Sequence, residues 1–219
     1  MPTGLPDVKI IRHASAKQLR LRVFINEVKL TVPQHCSKRQ IQQFLIQSEP
    51  WLYETWQNLI LQKNNQSFPE EIFLFNRENA LNIIVRQQKQ RYIFDEENHV
   101  VFLNDQKNLK DFILMYAKIH LSRYLSHVSQ EIKIPYSNLQ VRFVKSRWGS
   151  CNKQHKIMLN ALLVLLPLNA VRYVCVHELV HTIHFDHSIS FWQRVEMHDA
   201  NYKVHVKQLR EFQWPWWML

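Results

Sequence analysis

Glycine is almost missing from this 219-residue chain, which has two: Gly4 near its start and Gly149. A sequence that avoids glycine elsewhere keeps Gly149 where the backbone needs a positive φ or a close approach to another group. Cysteine is nearly as scarce. Cys36, Cys151 and Cys175 are odd in number and far apart, which argues against a disulfide framework and for free thiols in a reducing compartment. Long apolar runs are absent too: the longest, 161–168, falls well short of the ~18 residues of a membrane span. The opening Met1-Pro2-Thr3-Gly4-Leu5-Pro6-Asp7 lacks the basic start and apolar core of a secretory signal. A cytoplasmic protein without membrane association is therefore expected.

What is present is an excess of positive charge, +10 in total. Residues 166–219 carry five basic and five acidic side chains, so residues 1–165 hold the whole excess, 23 against 13. An uneven basic balance can mark a nucleic-acid surface. The lysines and arginines are scattered here, which favours solvated faces.

The chemistry is concentrated in His177-Glu178-Leu179-Val180-His181, followed by His184 and His187. Residues four apart stack on one helix face, so His177 and His181 can share an ion with Glu178 beside it. Hydrolytic metal sites need a third protein ligand and an open position. His187 supplies that ligand if the helix stops near His184 and the chain folds back. The 0, 4, 10 spacing matches zincins in which a glycine makes this turn; His184 stands at the glycine's place, and histidine tolerates positive φ better than most residues. Several imidazoles buried on one face without a partner would be costly.

Alternation predicts strands over 8–12, 19–25 and 28–32, forming a small antiparallel sheet. A helix then starts from the N-cap Ser37, with a break at Pro50. The polar stretch 62–70 is a candidate boundary. Short strands follow over 72–75, 81–86, 91–94 and 99–103. A helix capped by Asn108 runs to about residue 131 and backs the metal helix. Strands over 141–145 and 156–160 flank Arg147-Trp148-Gly149-Ser150-Cys151. Asn169 caps the helix 170–184, whose valines need tertiary burial to stay helical. A further helix starts at 188–195 with Phe191 and Trp192 inward. The organisation expected is 1–65, a β-rich middle segment 66–107 and a catalytic core 108–219.

Arg147-Trp148-Gly149-Ser150-Cys151, Leu159-Asn160, Pro167, Tyr173 ahead of the His177–His181 motif, and His187-Ser188 before Phe191-Trp192 together resemble the YgjP-like metallopeptidases. The resemblance is close over 138–202 and looser over 62–137. It implies an α+β, zincin-like (gluzincin-like) core, with an antiparallel sheet and an active-site helix behind a small β-rich N-terminal subdomain. It also implies Zn²⁺ on His177, His181 and His187, with Glu178 as catalytic carboxylate and a peptide as substrate. Ala161 and Leu162 stand where the family has an aromatic and a basic residue, and the turn 152–155 has no glycine.

Zinc with an open position makes water nucleophilic near neutral pH, and Glu178 can take its proton. Arg147, Tyr173 and His184 are candidates to stabilise the oxyanion, with Arg147 and Trp148 beside a peptide added to strand 141–145. Asp186, Glu196 and Asp199 are candidate partners for the ligand imidazoles, and Glu196 is the alternative third ligand. Two other functions fit the same residues: a DNA-associated protease similar to SprT-like and WLM proteases, docked through the basic N-terminal part, and a non-catalytic zinc domain closed by His184.

Overall fold

A computed structural model describes residues 7–24, 27–65 and 67–218, and these fall in two compact units, one of the described residues up to 68 with 214–218, the other 69–213. Ile25, assigned above to the second strand, lies outside the described residues.

In the first unit, β1 (Val8–His13), β2 (Arg20–Val23) and β3 (Val28–Pro33) pair in the order β1-β3-β2. The β1–β3 pair is parallel and the β2–β3 pair antiparallel, so the sheet is mixed where an antiparallel one was expected. Three strands that reverse direction in turn leave the first and third running the same way. Here the third lands in the centre, because Val28, Leu30 and Val32 on it are the residues that bury completely. The Arg12 guanidinium donates to the carbonyls of Pro33, Gln34 and Cys36 at 3.2, 2.8 and 2.9 Å, tying the strand ends together.

Helix α1 (Lys38–Asn65) starts from a reciprocal cap. The Gln40 N–H donates to Ser37 Oγ and the Ser37 N–H to Gln40 Oε1, satisfying donors that have no intrahelical partner. The expected break at Pro50 does not occur, and the helix continues into the polar stretch read as a boundary. Pro50 and Ile46 are both exposed, so the Ile46 carbonyl that loses its partner lies where water reaches it.

The second unit opens with β4 (Glu71–Ile72), β5 (Leu81–Val85), β6 (Tyr92–Asp95) and β7 (Val100–Leu103), in the order β4-β5-β7-β6. Helix α2 (Asn108–Ile132) follows. Its cap position is Lys107 and not Asn108, because Asp105 takes the Lys107 and Asn108 N–H groups first. The fully buried Leu109, Phe112, Ile113, Leu121, Leu125 and Val128 make α2 the spine of the unit.

After α2 come β8 (Asn138–Arg142), β9 (Gly149–Cys151), β10 (Lys156–Asn160), a 3₁₀ turn (Ala161–Leu165) and α3 (Leu168–Val180), of which β8, the turn and α3 pack on α2. The third sheet, β8-β10-β9, repeats the pattern of the first: β10 is central, parallel to β8 and antiparallel to β9. The strand read at 141–145 sits earlier, at Asn138–Arg142. Residues 143–148 form a loop held by the fully buried Asn160, whose Nδ2 donates to the carbonyls of Val144 and Arg147 at 2.7 and 2.9 Å. The hairpin 152–155 manages without glycine because His155 takes the left-handed conformation at φ 57, and Asn152 Oδ1 accepts from the Gln154 and Lys156 N–H groups.

Helix α3 is buried nearly all round. Val171, Val174, Val176 and Val180 are 0–3% exposed, which supplies the tertiary support that these poor helix formers need. Two helices complete the unit, α4 (Ile189–His198) and α5 (Tyr202–Glu211), and both pack on α3. The chain is α+β as expected, with mixed sheets. No helix among the described residues is long and apolar enough to cross a membrane.

Candidate metal centre

Helix α3 ends at Val180, a turn before the expected His184, yet His181 keeps a helical conformation at φ −64, ψ −15. His177 and His181 thus remain one turn apart on the same face. The chain then doubles back. Asp186 Oδ1 accepts the Ser188 N–H at 3.2 Å, and Ser188 Oγ accepts the Phe191 N–H at 3.5 Å, capping α4 directly after His187. The described non-glycine residues with positive φ are His99, Lys133 and His155, so His184 does not act as the left-handed hinge. Its carbonyl closes the turn instead, accepting from His181 Nδ1 at 2.9 Å.

The outcome is a convergence of three imidazoles. His187 Nε2 lies 3.2 Å from His181 Nε2 and 3.3 Å from His177 Nε2. A carbonyl can only accept, so the proton of neutral His181 sits on Nδ1 and its Nε2 presents a lone pair. The Tyr173 hydroxyl lies 3.2 Å from His177 Nδ1, and a hydroxyl that accepts there leaves the same tautomer, with the Nε2 lone pair free. With Nε2 unprotonated on all three rings, lone pairs this close would repel unless a cation sat between them. Two nitrogens at about 2.0–2.1 Å from a tetrahedral zinc are separated by about 3.3 Å, so the spacing and the donor set fit that ion. Burial, with His181 and His187 adding to it, lowers the His177 pKa to about 3, and burial lowers that of His181. Both rings are thus held neutral, the form that binds metal.

Packing fixes the rings from behind. Phe191, fully buried, lies 4.9, 4.4 and 4.9 Å from the ring centres of His177, His181 and His187, and Trp192 stacks on His187 at 5.6 Å. The imidazoles' other partners are a phenol and a carbonyl, where carboxylates were expected. Asp199 pairs instead with His205 at 2.7 Å in the interior, and Asp186 is committed to the α4 cap. Glu196 is exposed on α4, and neither it nor the His184 ring is among the converging ligand atoms.

Glu178, 4% exposed, lies against β9. A Cβ added to Gly149 would sit 2.6 Å from Glu178 Cγ and 2.7 Å from Cδ, with Oε1 closer still. Close approach, and not positive φ, is therefore what Gly149 provides. Glu178 Oε2 is buried without a hydrogen-bond partner among the described residues. Burial raises the carboxyl to about 8, with the Arg147 charge pulling the other way. A carboxyl kept from water on the residue next to a ligand imidazole is of the kind that can exchange a proton with a molecule held at the three nitrogens.

The remaining candidates fall in different places. Arg147 is exposed and within electrostatic range of Glu178. Trp148 is half-buried and meets Phe212 edge-on at 5.3 Å. Tyr173 is buried, with its hydroxyl at His177. Three contributions went unread in the sequence: Asn160 as organiser of the loop before Gly149, the Asp199–His205 pair, and α5. The last left a signal, since Tyr202, His205, Val206 and Leu209 follow the i, i+3, i+4, i+7 spacing of an amphipathic helix.

Comparison with known proteins adds an independent line. The sequence pattern of the YgjP-like metallopeptidase domain matches residues 17–212. No curated protein sequence matches the chain. Among solved structures, the metallopeptidase zymogen of Pyrococcus abyssi abylysin is 22% identical, covering 41% of this chain and 90% of its own, with a TM-score of 0.37. The metallopeptidase zymogen of Methanocaldococcus jannaschii jannalysin is 18% identical, covering 41% and 96%, with a TM-score of 0.35.

Proposed function

The chain belongs to the YgjP-like metallopeptidase family, and on that premise we propose that it is a zinc-dependent peptidase in which His177, His181 and His187 hold the metal and Glu178 is the general base. The observation that supports this reading is the meeting of three Nε2 atoms, with the residue next to His177, Glu178, carrying a buried carboxylate whose Oε2 has no hydrogen-bond partner among the described residues. When bound, zinc would polarise the scissile carbonyl and acidify water.

The chain's own residues do the rest. Tyr173 and the His184 carbonyl hold two of the imidazoles in the metal-binding tautomer. Glu178, braced on Gly149, takes a proton from the attacking water and passes it to the leaving amine. Arg147, which already acts on Glu178, is the residue we assign to the developing oxyanion, since the Tyr173 hydroxyl is engaged by His177. An extended peptide would add to the edge strand β9, which adjoins Glu178, and not to β8 at the opposite edge of the sheet. The three free cysteines fit a reducing compartment.

The test is zinc stoichiometry together with peptide cleavage. Wild-type protein should carry one zinc and cleave, and Glu178→Gln should keep the zinc and lose cleavage. Cleavage that persists in Glu178→Gln would overturn the assignment of the base. Failure to take up zinc would overturn the centre itself.

A further inference from the structure

One cavity in the second unit has no task in the account above. Residues of α4 and α5 line a hollow of about 350 Å³: Trp192, Tyr202, Lys203, Val206 and Arg210. That is the small end of the range for ligand pockets, large enough for one side chain. The Trp192 and Tyr202 rings stack at 5.4 Å and 21°, and Trp192 also stacks on His187 at 5.6 Å and 29°. Trp192 is therefore both a wall of the hollow and a neighbour of a ligand imidazole. The two stacking steps keep the Tyr202 ring within about 11 Å of the His187 ring, roughly three residues of extended chain.

The lining has two characters. Trp192, Tyr202 and Val206 offer apolar surface, while Lys203 and Arg210 bring two positive charges. The Lys203 ammonium lies 5.6 Å from the Tyr202 ring centre, and Arg210 is close enough to act on the Tyr173 phenol behind His177. Neither cation has an ion-pair partner among the described residues, although the neighbouring Lys207 pairs with Glu211. Such a hollow suits a ligand with a short apolar body and a negative end, and a guanidinium matches the two oxygens of a carboxylate.

We propose that this hollow is a subsite for a carboxylate of the peptide substrate, set within about three residues of the scissile bond, with Arg210 as its main partner. The proposal rests on the peptidase reading given above. A peptide offers this chemistry from two sources, the side chain of Asp or Glu and the C-terminus itself.

Two pairs of peptides separate those sources: one pair amidated at the C-terminus and differing by Glu against Gln near the cleaved bond, the other differing by a free against an amidated C-terminus. Zinc-loaded protein should favour the carboxylate member of one pair by about tenfold in kcat/KM, the scale of one charge-assisted hydrogen bond. Arg210→Ala should bring that ratio close to one, and Arg210→Glu should reverse it. Lys203→Glu, at an exposed position, should lower the ratio as well and serves if the Arg210 variants fold poorly.

Calorimetric titration of zinc-loaded Glu178→Gln with the same peptides reads the preference as a ratio of Kd without turnover. If no peptide is cleaved yet the carboxylate member binds tighter, the peptidase reading falls and the subsite stands. If neither pair is discriminated in cleavage or binding, or Arg210→Glu leaves the ratio where it was, the subsite is refuted.

Discussion

Replacing Gly149 by alanine isolates the contact on which the placement of Glu178 depends. The new methyl carbon would stand 2.6 and 2.7 Å from Glu178 Cγ and Cδ, whereas carbon atoms rest about 3.5–4.0 Å apart, so the carboxylate must retreat by about 1 Å. Because the carboxylate sits between β9 and its own helix, part of the strain is shared with the backbone. Overpacking of this kind costs about 1–3 kcal/mol of stability. A misplacement of about 1 Å in a group that transfers a proton lowers turnover about 100-fold.

The three atoms nearest the added methyl all belong to Glu178 and the converging ligand atoms to His177, His181 and His187, so zinc stoichiometry should stay at the wild-type value while kcat falls. Shortening the acid relieves the crowding: in a double-mutant cycle, Gly149→Ala should destabilise less in the presence of Glu178→Asp than in its absence. Steady-state kinetics, metal analysis and urea unfolding on the four proteins test this. Wild-type turnover in Gly149→Ala would refute the reasoning, and loss of zinc together with activity would place the effect on the ligands and not on the base.

Three further outcomes are expected. In metal-free protein the buried Glu178 holds its proton up to about pH 8, while the unfolded chain releases it near the ordinary carboxyl value of 4.5, so folding stability from this group declines as pH rises through that window. Glu178→Gln should therefore stabilise the metal-free protein by about 3 kcal/mol at pH 7 and by nothing below about pH 4; urea midpoints in chelator at several pH values check this, and a pH-independent gain would contradict it. Tyr173→Phe removes the oxygen at His177 Nδ1 and should weaken zinc affinity about 10- to 100-fold with little change in thermal stability, as competition with a chromophoric chelator would show. Asn160→Leu strips partners from the Val144 and Arg147 carbonyls and from the Leu162 N–H, and should cost about 2–4 kcal/mol in chemical denaturation while lowering turnover through the displaced Gly149 strand.

The local grammar of the chain was legible without coordinates. Ser37 caps its helix because its hydroxyl accepts a nearby N–H group, and the spacing of His177 and His181 puts them on one face in any helix. Near-absence of glycine singled out Gly149. Such properties involve residues a few positions apart, and short-range sterics and hydrogen bonds decide them.

Other features depended on which segments met. The central place of the third strand in the first and third sheets follows from where the most apolar strand buries, which strand periodicity does not contain. Gly149 was marked, but the neighbour it admits, Glu178, lies 29 positions on and became its neighbour only when β9 packed on α3. Likewise, the partners of the ligand imidazoles were drawn from a hydroxyl and a carbonyl and not from the acids nearby in sequence, because Asp199 found His205 first and Asp186 was needed as a cap. Hydrogen-bonding groups take the partner that folding brings within about 3 Å, and that distance is set by packing across the whole unit.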